Sequence, residues 1–145
     1  MADLPPGAVD LIRIALDEDL GSGDVTAAAT VPDGLSCRAR IVQKQPGVIF
    51  GLDVVEEVFR QVGVEDIDRT IIEGHWHESV PRDILLIHGP ARSVLAGERV
   101  ALNFLGHLSG IATLTAKYVE ATGGTGTKLL DTRKTIPGLR ILEKY

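Results

Sequence analysis

The residues best equipped for chemistry in this chain stand together near its end. Asp131, Thr132, Arg133, Lys134 and Thr135 follow the apolar pair Leu129-Leu130 and precede Pro137-Gly138. A guanidinium offers a planar fork suited to carboxylate or phosphate, and an ammonium adds a mobile point charge. Threonine hydroxyls can donate to phosphate oxygens. Residues 127–130 read as a strand, which puts the cluster at its C-terminal end, where α/β architectures bind their substrates. Pro137-Gly138 turns the chain away and keeps the charges at the rim. On composition alone, a solvated basic loop explains the cluster equally well. Arg99 is the second candidate. It sits early in a long helical pattern, on a face shared with small residues, where it either snorkels, pairs with Glu98 or Glu120, or reaches a ligand.

Other chemistries find little support. His75 and His77 lie two apart, on one face of a strand, and could clamp a metal only with a third ligand such as Glu73 or Glu78; a surface or half-buried strand is the simpler reading. No HExxH or CxxC spacing occurs, and no G-x-S-x-G elbow. Gly123-Gly124-Thr125-Gly126 lacks the ending of a phosphate-cradling loop and precedes a strand instead of following one, so it reads as a connection. Aromatic residues make up only 4% and the net charge is -5, which disfavours base-stacking and general nucleic-acid binding. Cys37 is the single cysteine, so no internal disulfide forms, as expected in a reducing cytoplasm. Met1 to Asp10 carries no secretory pattern, and no apolar run is long enough to span a membrane.

The elements that must position these groups follow from periodicity. Val9, Ile12, Leu16 and Leu20 predict a helix over 8–20, stopped by Gly21-Ser22-Gly23-Asp24. Alternation from Leu35 to Gln45 predicts a strand with Cys37, Ala39 and Ile41 inward and Arg38 and Arg40 outward. Residues 48–50 read as a short strand and 52–62 as a helix ending at Gly63. Further strands are expected over 70–72 and 84–88, with another at 92–95. The longest helical pattern covers 97–121. Ala101, Leu105, Leu108 and Ala112 form its inner stripe, opposite Arg99, Asn103, Gly106 and Gly110. Gly106 and Gly110 are expected to mark a close approach or a kink. These elements suggest a sheet with helices on one face. A strand over 127–130 and a helix over 139–145 would then begin a second α/β unit, inside which the sequence is expected to end.

Three stretches carry a resemblance. "DTRKTIPGLRILEKY", "AGERVALNFLGHLSGIATLTAKYV" and the early "DEDLGSGDVTAAAT" closely resemble, in the same order, the carboxylating nicotinate-nucleotide pyrophosphorylases, also called quinolinate phosphoribosyltransferases. The resemblance implies an α/β fold: an N-terminal α/β sandwich domain over 1–109, then the first part of an incomplete α/β barrel over 110–145. It implies transfer of a phosphoribosyl group from phosphoribosyl pyrophosphate to quinolinate, with decarboxylation, in NAD biosynthesis, and with Mg²⁺. It also implies a homodimer, open to further assembly, in which Arg99 reaches the neighbouring subunit's site. Thr132, Arg133 and Lys134 match the family's substrate-binding positions. The family's other ligands, a His-Arg pair, a further Lys and the acidic metal-side residues, fall after Tyr145. These 145 residues alone are therefore expected to be inactive. A related phosphoribosyltransferase-like protein of molybdate-transport operons is one competing expectation. A non-catalytic anion-binding or assembly module is the other.

Overall fold

Alternation beginning at Ser36 sets the sheet. A computed structural model of the chain describes residues 4–145, so residues 1–3 of the expected N-terminal domain lie outside the described residues. The elements run α1 (Ala8–Leu20), α2 (Val25–Thr30), β1 (Ser36–Gln43), β2 (Gly47–Val48), α3 (Leu52–Gln61), β3 (Asp66–Arg69), β4 (Trp76–His77), β5 (Arg82–Pro90), α4 (Ala91–Thr122) and α5 (Arg140–Glu143). β1, β5 and β3 form one antiparallel sheet with β5 in the middle, and β2 pairs with β4 in a second, two-stranded one.

The period-2 pattern separates the two faces of the larger sheet. Leu85 and Ile87 of β5 are buried, and Cys37, Ala39, Ile41 and Ile67 pack against the same core. The opposite face is polar and open: Arg38, His88 and Asp66 stand in one row across the three strands, with His88 Nδ1 3.2 Å from the Asp66 carboxylate. Helices α1, α3 and α4 close the core, contributing Ile12 and Leu16, Val55, Val58 and Phe59, and Ala101, Leu105 and Leu108. Each such side chain removed from water contributes about 1.5–3 kcal/mol. The chain thus has helices on one face of an antiparallel sheet, a mixed α/β architecture, and the described residues include no closed barrel.

Several expectations need correction. Residues 92–95 are helical, because α4 begins at Ala91; Ala91, Val94 and Gly97 are buried at a spacing of three, which is a helical repeat that a four-residue window hides. The strand expected over 70–72 lies earlier, at Asp66–Arg69, where one half-buried Ile67 among charged residues gives almost no apolar signal. Helix α2 was not foreseen from periodicity; the Asp24 carboxylate, expected only to stop α1, accepts from Ala27 N at 2.9 Å and starts it. Arg92 finishes the same helix by donating to Val31 O (2.6 and 2.9 Å) and Ala28 O (3.0 Å). Nothing packs within 4 Å of Gly106 or Gly110, so neither marks a close approach.

Close approach occurs instead where α4 meets the segment from β2 to α3. Gly51 has φ +102°, and a Cβ there would lie 2.7 Å from Leu108 Cδ1, so glycine is required on both counts. Two hydroxyls on α4 complete the contact. Thr113 Oγ1 accepts from Val48 N (2.9 Å) and donates to Val48 O (3.2 Å). Ser109 Oγ accepts from Phe50 N (3.1 Å) and donates to Phe50 O (3.3 Å). α3 then starts on a carboxylate borrowed from further along the chain: Gly51 N and Leu52 N both donate to Glu73 Oε2 at 2.8 Å. Charge-assisted bonds to orphan N–H groups at a helix N-terminus are among the stronger polar contacts. Glu73→Ala should lower unfolding free energy by about 2 kcal/mol, measured by urea denaturation, with Glu73→Gln keeping part of it; a loss below about 0.5 kcal/mol would sink the assignment.

Candidate anion-binding site

The segment carrying the basic cluster is held by its own last residues. Leu142 of α5 is 1% exposed and joins the main core, fastening the end of the chain to the helices. Tyr145 stacks against Phe50 with ring centroids 5.7 Å apart and donates to the Asp53 carboxylate at 3.1 Å. From this anchored end, neighbouring residues reach back to both ends of the cluster. Lys144 Nζ pairs with Asp131 at the beginning. Glu143 accepts from Ile136 N (3.2 Å) just past the end. Within the loop, Lys134 N donates to Thr132 Oγ1 (3.2 Å), and Arg140 Nη2 donates to Arg133 O (2.9 Å).

The expected strand over 127–130 is absent. These residues belong to no strand or helix, and Leu130 is 87% exposed. A strand needs a neighbour for its backbone groups, and no described strand lies beside this one. The cluster nevertheless adjoins a cavity. A space of about 770 Å³ lies between the C-terminal half of α4 and the loop, lined by Leu114 and Tyr118 on one side and by Leu130, Thr132, Lys134 and Lys144 on the other. Arg133 is exposed and does not line this cavity, although both its neighbours do.

Charge is distributed unequally among the cations here. Lys144 has Asp131, and Arg140 has a carbonyl and the hydroxyl of Thr135 at 3.3 Å. Arg133 and Lys134 have no ion pair and no side-chain hydrogen bond among the described residues. Two exposed cations side by side with no carboxylate of their own leave their positive potential available to an external anion.

Arg99 is placed elsewhere. It lies on α4 twelve residues before Ile111, the first of the α4 residues bordering the cavity, about 18 Å along the helix at 1.5 Å per residue. Among the described residues, Arg99 makes no hydrogen bond or ion pair with residues 131–135 of its own chain. Its Nη1 donates instead to Asp19 Oδ1 at 2.7 Å, and that hydrogen bond, with the charge of Asp19, raises its pKa above the ordinary arginine value. Neither Glu98 nor Glu120 is the partner, contrary to the sequence expectation. Asp19 contributes to this arrangement without a sequence signal, being one of several acids on an early helix.

The two histidines are placed differently: His75 is exposed and precedes β4, whereas His77 lies within it. His77 Nδ1 accepts from Arg82 Nη1 at 2.9 Å, and no three His, Cys, Asp or Glu side chains group as a metal site among the described residues. No helix among them is long and apolar enough to cross a membrane.

Sheet, overlying helices and terminal loop define a layered α/β protein that displays unpaired cations at one exposed end. Comparison with known proteins makes the class specific. Residues 24–109 match the model of the quinolinate phosphoribosyl transferase N-terminal domain, and residues 111–145 match that of its C-terminal domain. The chain belongs to the quinolinate phosphoribosyl transferase family. It is 44% identical over 143 residues to the carboxylating nicotinate-nucleotide pyrophosphorylase of Mycobacterium leprae, covering 95% of this chain and 50% of that protein. A probable enzyme of the same name from Bacillus subtilis is 39% identical, over 88% of this chain and 44% of its own. Among solved structures, NadC from Streptococcus pyogenes superposes with a TM-score of 0.90 at 41% identity, over 100% of this chain and 52% of that one. The nicotinate-nucleotide pyrophosphorylase of Francisella tularensis gives 0.89 at 35%, over 99% and 51%. The chain therefore spans about half the length of these relatives.

The Arg99–Asp19 pair has a thermodynamic signature. The arginine side chain is 72% exposed, and surface pairs of this kind contribute little to stability. Asp19 also lies in the last turn of α1, where the helix dipole disfavours an acid. Asp19→Ala should leave the melting temperature within about 5 °C of the parent; a drop above about 10 °C would show that the pair holds the fold together.

Proposed function

We propose that the protein carrying this chain transfers the phosphoribosyl group of phosphoribosyl pyrophosphate to quinolinate. The products are nicotinate mononucleotide, pyrophosphate and carbon dioxide, a step in making NAD. The observation that carries this reading is the unpaired Arg133–Lys134 cluster, standing within a segment that matches the family model. We take residues 1–109 as an N-terminal domain and 110–145 as the first part of a barrel domain.

Both substrates are anions, and without cations between them they would repel. In this reading Arg133 clamps a carboxylate of quinolinate, Lys134 serves carboxylate or phosphate oxygens, and Thr132 donates its hydroxyl. The pyridine nitrogen donates its electron pair to the anomeric carbon of the ribose as the bond to pyrophosphate breaks, and that bond's electrons leave with pyrophosphate. The carbon–carboxylate bond next to the nitrogen then breaks. Its electron pair stays on the ring carbon, stabilised by the adjacent cationic nitrogen, and is quenched by a proton. Positioning and charge placement supply most of the rate, and no strong protein base is needed. Mg²⁺ belongs to the proposal as a partner of the pyrophosphate group; the described residues group no three metal ligands, and no role toward it is assigned to them.

Arg99 is proposed to serve the site of a second subunit. Its ion pair is with Asp19 of α1 and not with residues 131–135 of its own chain, which supports that reading. The protein would then be a homodimer, and we place it in the cytoplasm, in keeping with its lone cysteine.

The direct test is carbon dioxide release from quinolinate, dependent on phosphoribosyl pyrophosphate, by the full-length protein. Release with another acceptor but not quinolinate would favour the molybdate-operon relatives, and binding without turnover a non-catalytic module. Arg133→Ala should weaken quinolinate binding by tenfold or more, the loss of about 1.5–3 kcal/mol for a charge-assisted contact; near-normal affinity would refute its role. For Arg99, inactive Arg99→Ala and Arg133→Ala subunits mixed together should regain part of the activity, because some mixed dimers hold one intact shared site. No recovery would count against a shared site.

A further inference from the structure

The loop that displays Arg133 and Lys134 has few ties of its own. Its internal hydrogen bonds, from Thr135 N to Arg133 O and from Arg140 to Arg133 O and Thr135 Oγ1, join residues that would move together. Lys144–Asp131 leaves Asp131 77% exposed, so that pair is weak. Glu143 differs. Its side chain is 8% exposed, and its carboxylate accepts from two directions: from Ile136 N at 3.2 Å, one residue past Thr135, and from His107 Nε2 at 2.8 Å, on α4. A carboxylate has acceptor capacity for both. Among the described residues, the polar link from residues 131–144 to α4 runs through this one side chain.

We propose that Glu143 and His107 are positioning residues for anion binding. Glu143 couples the loop exit at Ile136 to α4, and so fixes where Arg133 and Lys134 stand. The proposal rests on the functional reading above, because the anion is taken to be quinolinate. A tie of this kind acts by pre-organisation. A loop already held in its binding shape loses less conformational freedom when the ligand arrives, so removing the tie weakens binding more than it slows a bound complex.

The test uses full-length enzyme. Glu143→Ala should raise the quinolinate KM about tenfold with kcat within about twofold. Backbone amides 132–136 should exchange with deuterium at least about tenfold faster. Glu143→Gln should bring both back toward the parent, since Oε1 alone lies 2.8 Å from His107 Nε2 and 3.4 Å from Ile136 N, and a glutamine oxygen can take its place. His107→Ala, which leaves the loop clamp at Ile136 intact, should give a smaller rise in KM and serves where Glu143→Ala does not fold. A purely structural role would lower the melting temperature and the active fraction while leaving KM and the local exchange unchanged, and that result would overturn the proposal. So would failure of Glu143→Gln to rescue. If the parent enzyme releases no carbon dioxide from quinolinate, the functional reading fails by itself. The exchange comparison then decides whether Glu143 positions the loop.

Discussion

The structure depends on one helix being shared by everything else. α4 runs unbroken from Ala91 to Thr122 and presents three different surfaces along its length. Its inner stripe, Ala101, Leu105 and Leu108, fills the core under the sheet. One turn further, the hydroxyls of Ser109 and Thr113 bond the backbone N–H and C=O groups of Phe50 and Val48. Between these, His107 meets Glu143 and through it the terminal loop. A helix of this length is a rigid ruler, so the placement of the loop against the sheet domain follows from contacts made on one straight element.

That arrangement explains an otherwise awkward charge pattern. Two cations exposed beside each other repel, and a folding chain would ordinarily distribute acids among them. Here the nearby acids are already engaged: Asp131 with Lys144, and Glu143 with His107 and Ile136 N. Arg133 and Lys134 are left uncompensated, while their paired neighbours do the holding. Separation of roles between residues that grip the loop and residues that face outward is what a site for a strongly anionic ligand requires. A counter-charge supplied from within would compete with the ligand.

Much of this was legible in the residues, and what was not has identifiable causes. Helices α1 and α3 and strand β1 follow their periodicity because each has one face in the core and one in water. The basic cluster was visible by composition, and its family by "DTRKT" and "LSGIAT". Within the second of these, sequence shows Ser109 and Thr113 only as ordinary polar residues; that their hydroxyls bond the backbone of Phe50 and Val48 is a tertiary fact. Strand β3 was misplaced because its outward residues are acidic and Ile67 is the one apolar residue on its inward face, which it shares with Arg69. The tie between Glu143 and His107 spans 36 positions and joins an unremarkable acid to a histidine with no local partner, so no spacing rule could propose it.

Arg99 is where fold geometry bears most directly on assembly. On an extended loop, an arginine could swing toward its own chain's cluster, and distance would exclude nothing. On α4 its backbone is fixed, and Asp19 holds the guanidinium against α1 with its charge intact. If Arg99 serves a second subunit, as proposed, its exposure leaves it accessible for that use. The small-residue face around it, with Gly106 further along and nothing packed upon it, leaves room for that approach. If the partner is a second copy, two-fold symmetry makes the exchange mutual: each subunit lends one arginine and borrows one. Affinity for the anion would then fall on dilution below the dimer dissociation constant, a coupling between assembly and binding that a site complete within one subunit would not show.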